Sequence, residues 1–225
     1  MIPEADDAFG RALLDYSDGK EVVTPVLETR GGGSCDALHP EWFFRAFAAW
    51  DWWDRALLPS IESGPVLDLG CGAGRASLYF QERGLEVTAV DASPGAVEVC
   101  RRRGVRDVRL GDLTDPPADR PWAAILLLCG NLGLGGSWEG NRRLLARLAQ
   151  IARRGAILIG DSVTPAGRPE VVLRLRYGSL TTPWWNQCNV PAGEVARLTD
   201  GTGWHLRRQL VNGCDHAVVL QTGRS

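Results

Sequence analysis

Between Pro65 and Asp161 short apolar runs alternate with longer segments that are apolar on one side only, the pattern of βαβ units and a parallel sheet. The runs Val66–Leu69, Glu86–Asp91, Asp107–Leu110, Ala123–Cys129 and Ala156–Asp161 are predicted strands, and Arg75–Arg83, Pro94–Arg103 and Ser137–Arg153 predicted helices. Pro94 suits a first helical turn, where its missing N–H costs nothing. Gly84 and Gly104 stand where helix C-caps are expected. Beyond Asp161, Val171–Tyr177 and Thr182–Val190 read as a hairpin and Ala192–Thr199 as a short helix. Trp204–Val211 and His216–Gln221 then form an antiparallel pair about Asn212-Gly213, a strong turn signal. Before Pro65, Asp7–Tyr16 reads as a helix, Glu21–Thr29 as extended, and Gly31-Gly32-Gly33-Ser34 as a flexible loop. Glu41–Leu58 reads as one helix, aromatic nearly all round (Trp42, Phe43, Phe44, Phe47, Trp50, Trp52, Trp53) and therefore buried or covered.

The stretch richest in chemistry is Val66-Leu67-Asp68-Leu69-Gly70-Cys71-Gly72-Ala73-Gly74-Arg75, a buried strand running into a glycine-rich turn that opens a helix. Glycines let backbone pass close to a ligand, and the emerging helix offers free N–H groups. In an open α/β sheet such a turn borders the crevice at the carboxyl ends of the strands. The dinucleotide fingerprint G-x-G-x-x-G fits poorly, because its third glycine position falls on Arg75.

The spacing D-x-G-x-G-x-G, matched by Asp68, Gly70, Gly72 and Gly74, resembles motif I of the class I S-adenosylmethionine-dependent methyltransferases. The resemblance runs from about Pro65 to Asp161. It implies a Rossmann-like, mostly parallel seven-stranded sheet with an antiparallel C-terminal edge, to which the chain's own pattern adds an N-terminal helical cap and an extra β-hairpin, Val171–Val190, as a lid or acceptor-side addition. One domain over residues 1–225 is expected: a cap over 1–64, a cofactor half over 65–161 and an acceptor side over 162–225. It also implies S-adenosylmethionine as cofactor, with S-adenosylhomocysteine as product. Asp91 is then expected on the ribose hydroxyls beside Ala92, Asp112 and Leu113 at the adenine, and Cys71 in the glycine turn. Cys129 and Asn131 are expected near the methyl donor, and Tyr16 closing over the cofactor.

Methyl transfer from a sulfonium is an in-line displacement in which the protein mainly aligns the acceptor and excludes water. An alcohol or phenol acceptor gains from a general base. The base candidates are Asp161, His39 and Asp36, each with a plain structural alternative, and Asn131 is a candidate for orienting an acceptor. Trp184, Trp185, Trp42 and Phe43 are candidates for stacking on a flat or cationic acceptor, with core packing as the alternative.

Composition narrows the partners. A formal charge of −2 argues against nucleic acid. Arg101-Arg102-Arg103, with Arg106 and Arg109, reads first as a solvated helix end. The six cysteines include no C-x-x-C pair and the histidines no metal spacing, so no structural metal is expected. The acidic start and the lack of a long apolar run point to the cytosol, with no membrane partner. The [DNS]-P-P-[YF] loop of nucleobase amino-methyltransferases is missing, since Cys129-Gly130-Asn131-Leu132 stands in its place. A small-molecule acceptor remains as the expectation. A cofactor-binding scaffold without turnover and a nicotinamide oxidoreductase stay as alternatives, and a homodimer is left open.

Overall fold

The computed structural model describes residues 2–162 and 169–223, without the side chain of Asp36. The elements in chain order are α1 (Ala8–Ser17), β1 (Val26–Thr29), β2 (Ser34–Asp36), α2 (Trp52–Leu57), β3 (Val66–Leu69), α3 (Arg75–Glu82), β4 (Val87–Asp91), α4 (Pro94–Arg102) and β5 (Asp107–Leu110). They continue with β6 (Trp122–Leu127), α5 (Trp138–Ile151), β7 (Ala152–Ser162), β8 (Glu170–Tyr177), β9 (Leu180–Thr181), β10 (Trp185–Cys188), α6 (Val195–Thr199), β11 (Trp204–Asn212) and β12 (Asp215–Thr222).

Seven strands form one sheet in the order β11-β12-β7-β6-β3-β4-β5. The five from β5 to β7 are parallel, and β12 runs antiparallel to both neighbours. The edge strand β11 therefore points the same way as the parallel set, so the antiparallel edge is one strand wide. Alternation along the strands feeds two cores. Ile125, Leu127 and Leu158 face Leu144, Leu145, Leu148 and Leu198 of α5 and α6. Ala124, Leu126 and Ile159 face Leu57, Leu58, Tyr79 and Phe80.

Two expectations are corrected. The segment 41–58 is not one helix. It divides into 3₁₀ turns at Pro40–Phe44 and Phe47–Ala49, then α2. The breaks fall at Arg45 and Trp50, both extended. The Trp50 indole N–H takes the Arg45 carbonyl at 2.7 Å, the acceptor a continuous helix would give to Ala49. In the broken segment Phe47 and Trp50 both reach the Tyr79 ring, at 4.3 and 5.8 Å. The predicted hairpin forms, and it continues into the N-terminal cap, which was expected to be helical. β8 pairs with β10, β9 and β1, and β1 with β2, making a second, antiparallel sheet of five strands. The N-terminal cap is thus part helix, part sheet.

This second sheet is tied to the first. Tyr177 of β8 donates to Asp15 of α1 at 3.1 Å, and Gln187 of β10 donates to the Gly130 carbonyl at 2.9 Å. α1 meets α4 through Gly10 and Gly95, where a methyl on either would lie within 2.7 Å of the other's backbone. Asp7 binds them further, its carboxylate accepting from Gly10 N, Ser93 Oγ and Gly95 N at 2.8–2.9 Å. No helix among the described residues is long and apolar enough to cross a membrane.

Candidate active site

The glycine turn lies between the carboxyl end of β3 and the start of α3. Gly70, Gly72 and Gly74 all have positive φ, at 75°, 54° and 76°. A methyl at Gly70 would sit 2.2 Å from Asn131 Nδ2, and one at Gly74 2.8 Å from a Val105 methyl. Only glycine meets both demands. Asp68 does not face outward from this turn. It is buried and accepts from the Ser77 hydroxyl at 2.7 Å, so it braces β3 against α3. Burial lifts its carboxyl to about 6, against the Ser77 hydrogen bonds and Arg75. Cys71 is also buried, its Sγ 3.7 Å from that of Cys100.

Asp91 ends β4 and faces the turn. One carboxylate oxygen accepts from Gly72 N at 2.8 Å and the other from Ser93 N at 2.9 Å. A carboxylate has about four acceptor sites, so two remain for a diol such as a ribose. Burial raises its carboxyl to about 6, while the Ser93 and Gly72 amides hold it down and Asp7 and Asp68 push it up. Next to it, the Ala92 carbonyl takes the Ile2 amide at 2.9 Å. Asp112 spends one oxygen on the Thr114 amide and hydroxyl, at 2.8 and 2.7 Å. Desolvation works against it, but those two bonds hold its carboxyl below the ordinary value. Leu113 packs on the core below.

The side chains that reach the glycine turn come from α1 and the 40–44 turn. Tyr16 lies against Phe44 at 4.8 Å. Phe9, two turns earlier in α1, approaches Gly72 together with Phe43. Phe43 is buried and meets Phe9 edge-on at 5.2 Å, so it forms a wall of the turn. Arg103 fixes that wall by donating to the carbonyls of Phe43 and Ala73. Two others of the basic run are ion-paired: Arg102 with Glu98 and Asp18, and Arg109 with Asp107 and Asp119.

On the other side of β3, the loop after β6 brings Cys129 and Asn131 to the glycine turn. Asn131 donates to the Leu69 carbonyl at 3.0 Å, so its amide holds the turn. Cys129 has φ 60°, a conformation few non-glycine residues adopt, and is exposed. Asp161, near the end of β7, is buried and accepts from Gly130 N at 2.9 Å. Beside it lies an ion pair that sequence spacing gave no sign of, Arg75 to Asp54 at 3.0 Å.

The remaining candidates separate. Trp185 bonds Gln187 at 3.4 Å, on the face of β10 that reaches Gly130. Trp184 points the other way and lies between Arg30 and Arg174, whose guanidinium carbons are 5.2 and 4.6 Å from its ring. Trp42 is exposed and stacks on His39 at 4.5 Å, and His39 also faces Glu41 at 3.6 Å. Those contacts link His39 to the surface aromatics and not to the Asp161 side. The Asp36 side chain lies outside the described part.

Comparisons with known proteins agree with this geometry. Residues 66–155 match a family model described as a methyltransferase domain. Over 117 residues the chain is 33% identical to a malonyl-[acyl-carrier protein] O-methyltransferase of Salmonella typhimurium, covering 51% of this chain and 45% of that protein. The chain thus spans less than half the length of the curated relatives it matches. A SAM-dependent methyltransferase from Bacteroides fragilis, solved with S-adenosyl-L-homocysteine, superposes with TM-score 0.86 at 23% identity, over 100% of this chain and 98% of that one. The sugar N-methyltransferase KedS8 from Streptoalloteichus sp ATCC 53650 superposes with TM-score 0.59 at 15% identity, over 84% of this chain and 94% of that one. Residues 66–155 are thus similar to a methyltransferase domain, and the chain shares, in its strand order, the fold of these solved S-adenosylmethionine-dependent methyltransferases.

Proposed function

We propose that the chain binds S-adenosylmethionine and transfers its methyl group to a small-molecule acceptor. The observation that carries this reading is the placement of the Gly70–Gly74 turn between two buried carboxylates. Asp91 lies on one side of it, at the end of the adjoining strand β4, and Asp161 on the other, near the end of β7 two strands away. The cofactor, when bound, supplies a methyl group already activated on a sulfonium. Asp91 keeps acceptor sites for the ribose diol, and Asp112 and Leu113 offer an oxygen and an apolar surface to a purine. Phe9 and Phe43 close the turn against water, which favours displacement over solvation of the reacting groups. Asn131 positions the turn through the Leu69 carbonyl. Asp161 and Trp185 belong to the acceptor side, Asp161 as the base or anchor and Trp185 as an aromatic rim. The Bacteroides fragilis likeness with its bound product supports the cofactor, and the O- and N-methyltransferase relatives support small or carrier-linked acceptors.

The test is turnover. Protein incubated with methyl-labelled S-adenosylmethionine and a small-molecule metabolite extract is expected to give labelled product that is lost in Asp91→Ala. Saturable cofactor binding with no labelled product from any extract would instead make the chain a binding subunit.

A further inference from the structure

The pair Asp54–Arg75 has side chains only 4% and 10% exposed, and nothing in cofactor binding requires it. Arg75 also reaches Cys129 Sγ at 3.5 Å and lies 4.7 Å over the Trp50 ring. Asp161, 3% exposed, gives one oxygen to the Gly130 amide, while its Oδ1 has no hydrogen-bond partner among the described residues. A buried carboxylate oxygen without a donor is costly, and native structures seldom leave one without a reason. Cys129 is exposed, so the group opens to solvent at that point. The charges are unbalanced: the two buried carboxylates, with Asp51 adding a third negative charge nearby, face one guanidinium, and that guanidinium is already paired.

We propose that Asp161 with the Asp54–Arg75 pair forms the acceptor subsite, and that the acceptor is an amine which enters as its ammonium form. The proposal deepens the methyltransferase reading above and rests on it. An ammonium N–H supplies the donor that Oδ1 lacks, and its charge balances the second carboxylate. A carboxylate or phosphate acceptor would meet two like charges and a cation already engaged. An alcohol would supply the donor but leave the charge uncompensated.

In the step itself, the Asp161 carboxylate takes one proton from the ammonium nitrogen. The freed lone pair forms the N–CH₃ bond while the S–CH₃ bond breaks, and the bonding electrons stay on sulfur. The proton then passes from Asp161 to solvent. The proton affinities suit this order. Burial, with Asp54 adding to it, lifts Asp161 to about 7 against the Gly130 and Cys129 amides and Arg75. An alkylammonium such as lysine titrates near 10.4, about three units away. A hydroxyl resembling water holds its proton far more tightly still. Asp54 acts as a positioning residue through Arg75.

Calorimetry separates the possibilities. S-adenosylhomocysteine is titrated first, and failure to bind would sink the methyltransferase reading itself. Benzylammonium, benzyl alcohol and benzoate are then titrated into the product-saturated protein. Benzylammonium is expected to bind at least tenfold more tightly than either of the others, with Asp161→Asn abolishing that preference and Asp54→Asn reducing it. The ranking in the unmodified protein stands as a test even if a variant fails to fold. Equal or weaker binding of benzylammonium, or a preference indifferent to Asp161→Asn, overturns the amine assignment and leaves cofactor binding intact.

Discussion

Replacing Asp161 by Asn tests the electrostatics of the acceptor side without any ligand. Burial moves this carboxyl from 3.8 to about 7, Asp54 pushes in the same direction, and the Gly130 and Cys129 amides and Arg75 oppose it. A carboxyl raised on folding holds its proton more tightly in the folded chain. Its contribution to stability is therefore full below about pH 3.8 and is lost as the pH climbs to and through about 7. A shift of about three units corresponds to at most ~4 kcal/mol at 1.36 kcal/mol per unit. Of this, about 2–3 kcal/mol is lost between pH 5 and pH 8. Asparagine keeps an oxygen for the Gly130 amide and carries no charge, so it lacks that slope. Urea unfolding of both proteins at the two pH values measures the difference directly. The gap is expected to move by about 2–3 kcal/mol in favour of the variant on going from pH 5 to pH 8. A gap constant to within ~0.5 kcal/mol would refute the reasoning, because Asp161 would then titrate alike in folded and unfolded chains.

Two further outcomes follow from the same geometry. Arg75→Met leaves Asp54 and Asp161 without their cation and should cost about 3–5 kcal/mol at pH 8. The loss should be clearly smaller at pH 5, below the values of about 6 for Asp54 and about 7 for Asp161, and equal losses at both would contradict the pairing. Gly95→Ala places a methyl 2.6 Å from the Gly10 carbonyl carbon, so α1 must shift. A destabilisation of about 1–3 kcal/mol is expected in thermal or urea melts, and an unchanged midpoint would mean the α1–α4 crossing is looser than described.

The parallel half of the fold was legible in the sequence because each strand and helix carries its own period and its own punctuation. β3 and β5 fall on Val66–Leu69 and Asp107–Leu110 as predicted, and Pro94, Gly84 and Gly104 mark helix ends where their backbone chemistry requires. The segment 41–58 was misread because its breaks come from tertiary contacts. The Trp50 indole takes a helix acceptor, and nothing local to Arg45 announces that. The second sheet was hidden for a related reason: β1 and β8 pair across more than a hundred residues, and spacing carries no record of such a partner. Near the candidate site, the positive-φ turn at Gly70, Gly72 and Gly74 was legible because glycine alone takes that backbone freely. Asp54 was not, because its tie to Arg75 depends on how the broken aromatic segment lies against α3. Phe9 is the α1 residue whose register meets Gly72.

The most direct test of cofactor binding is calorimetric titration of S-adenosylhomocysteine into the protein and its Asp91→Ala variant, with NAD as control. Saturable binding that weakens at least tenfold in the variant, with no binding of NAD, is the expected result. Binding of NAD alone, or S-adenosylhomocysteine binding indifferent to Asp91, would contradict the assignment of the Gly70–Gly74 turn and Asp91 as the cofactor cradle.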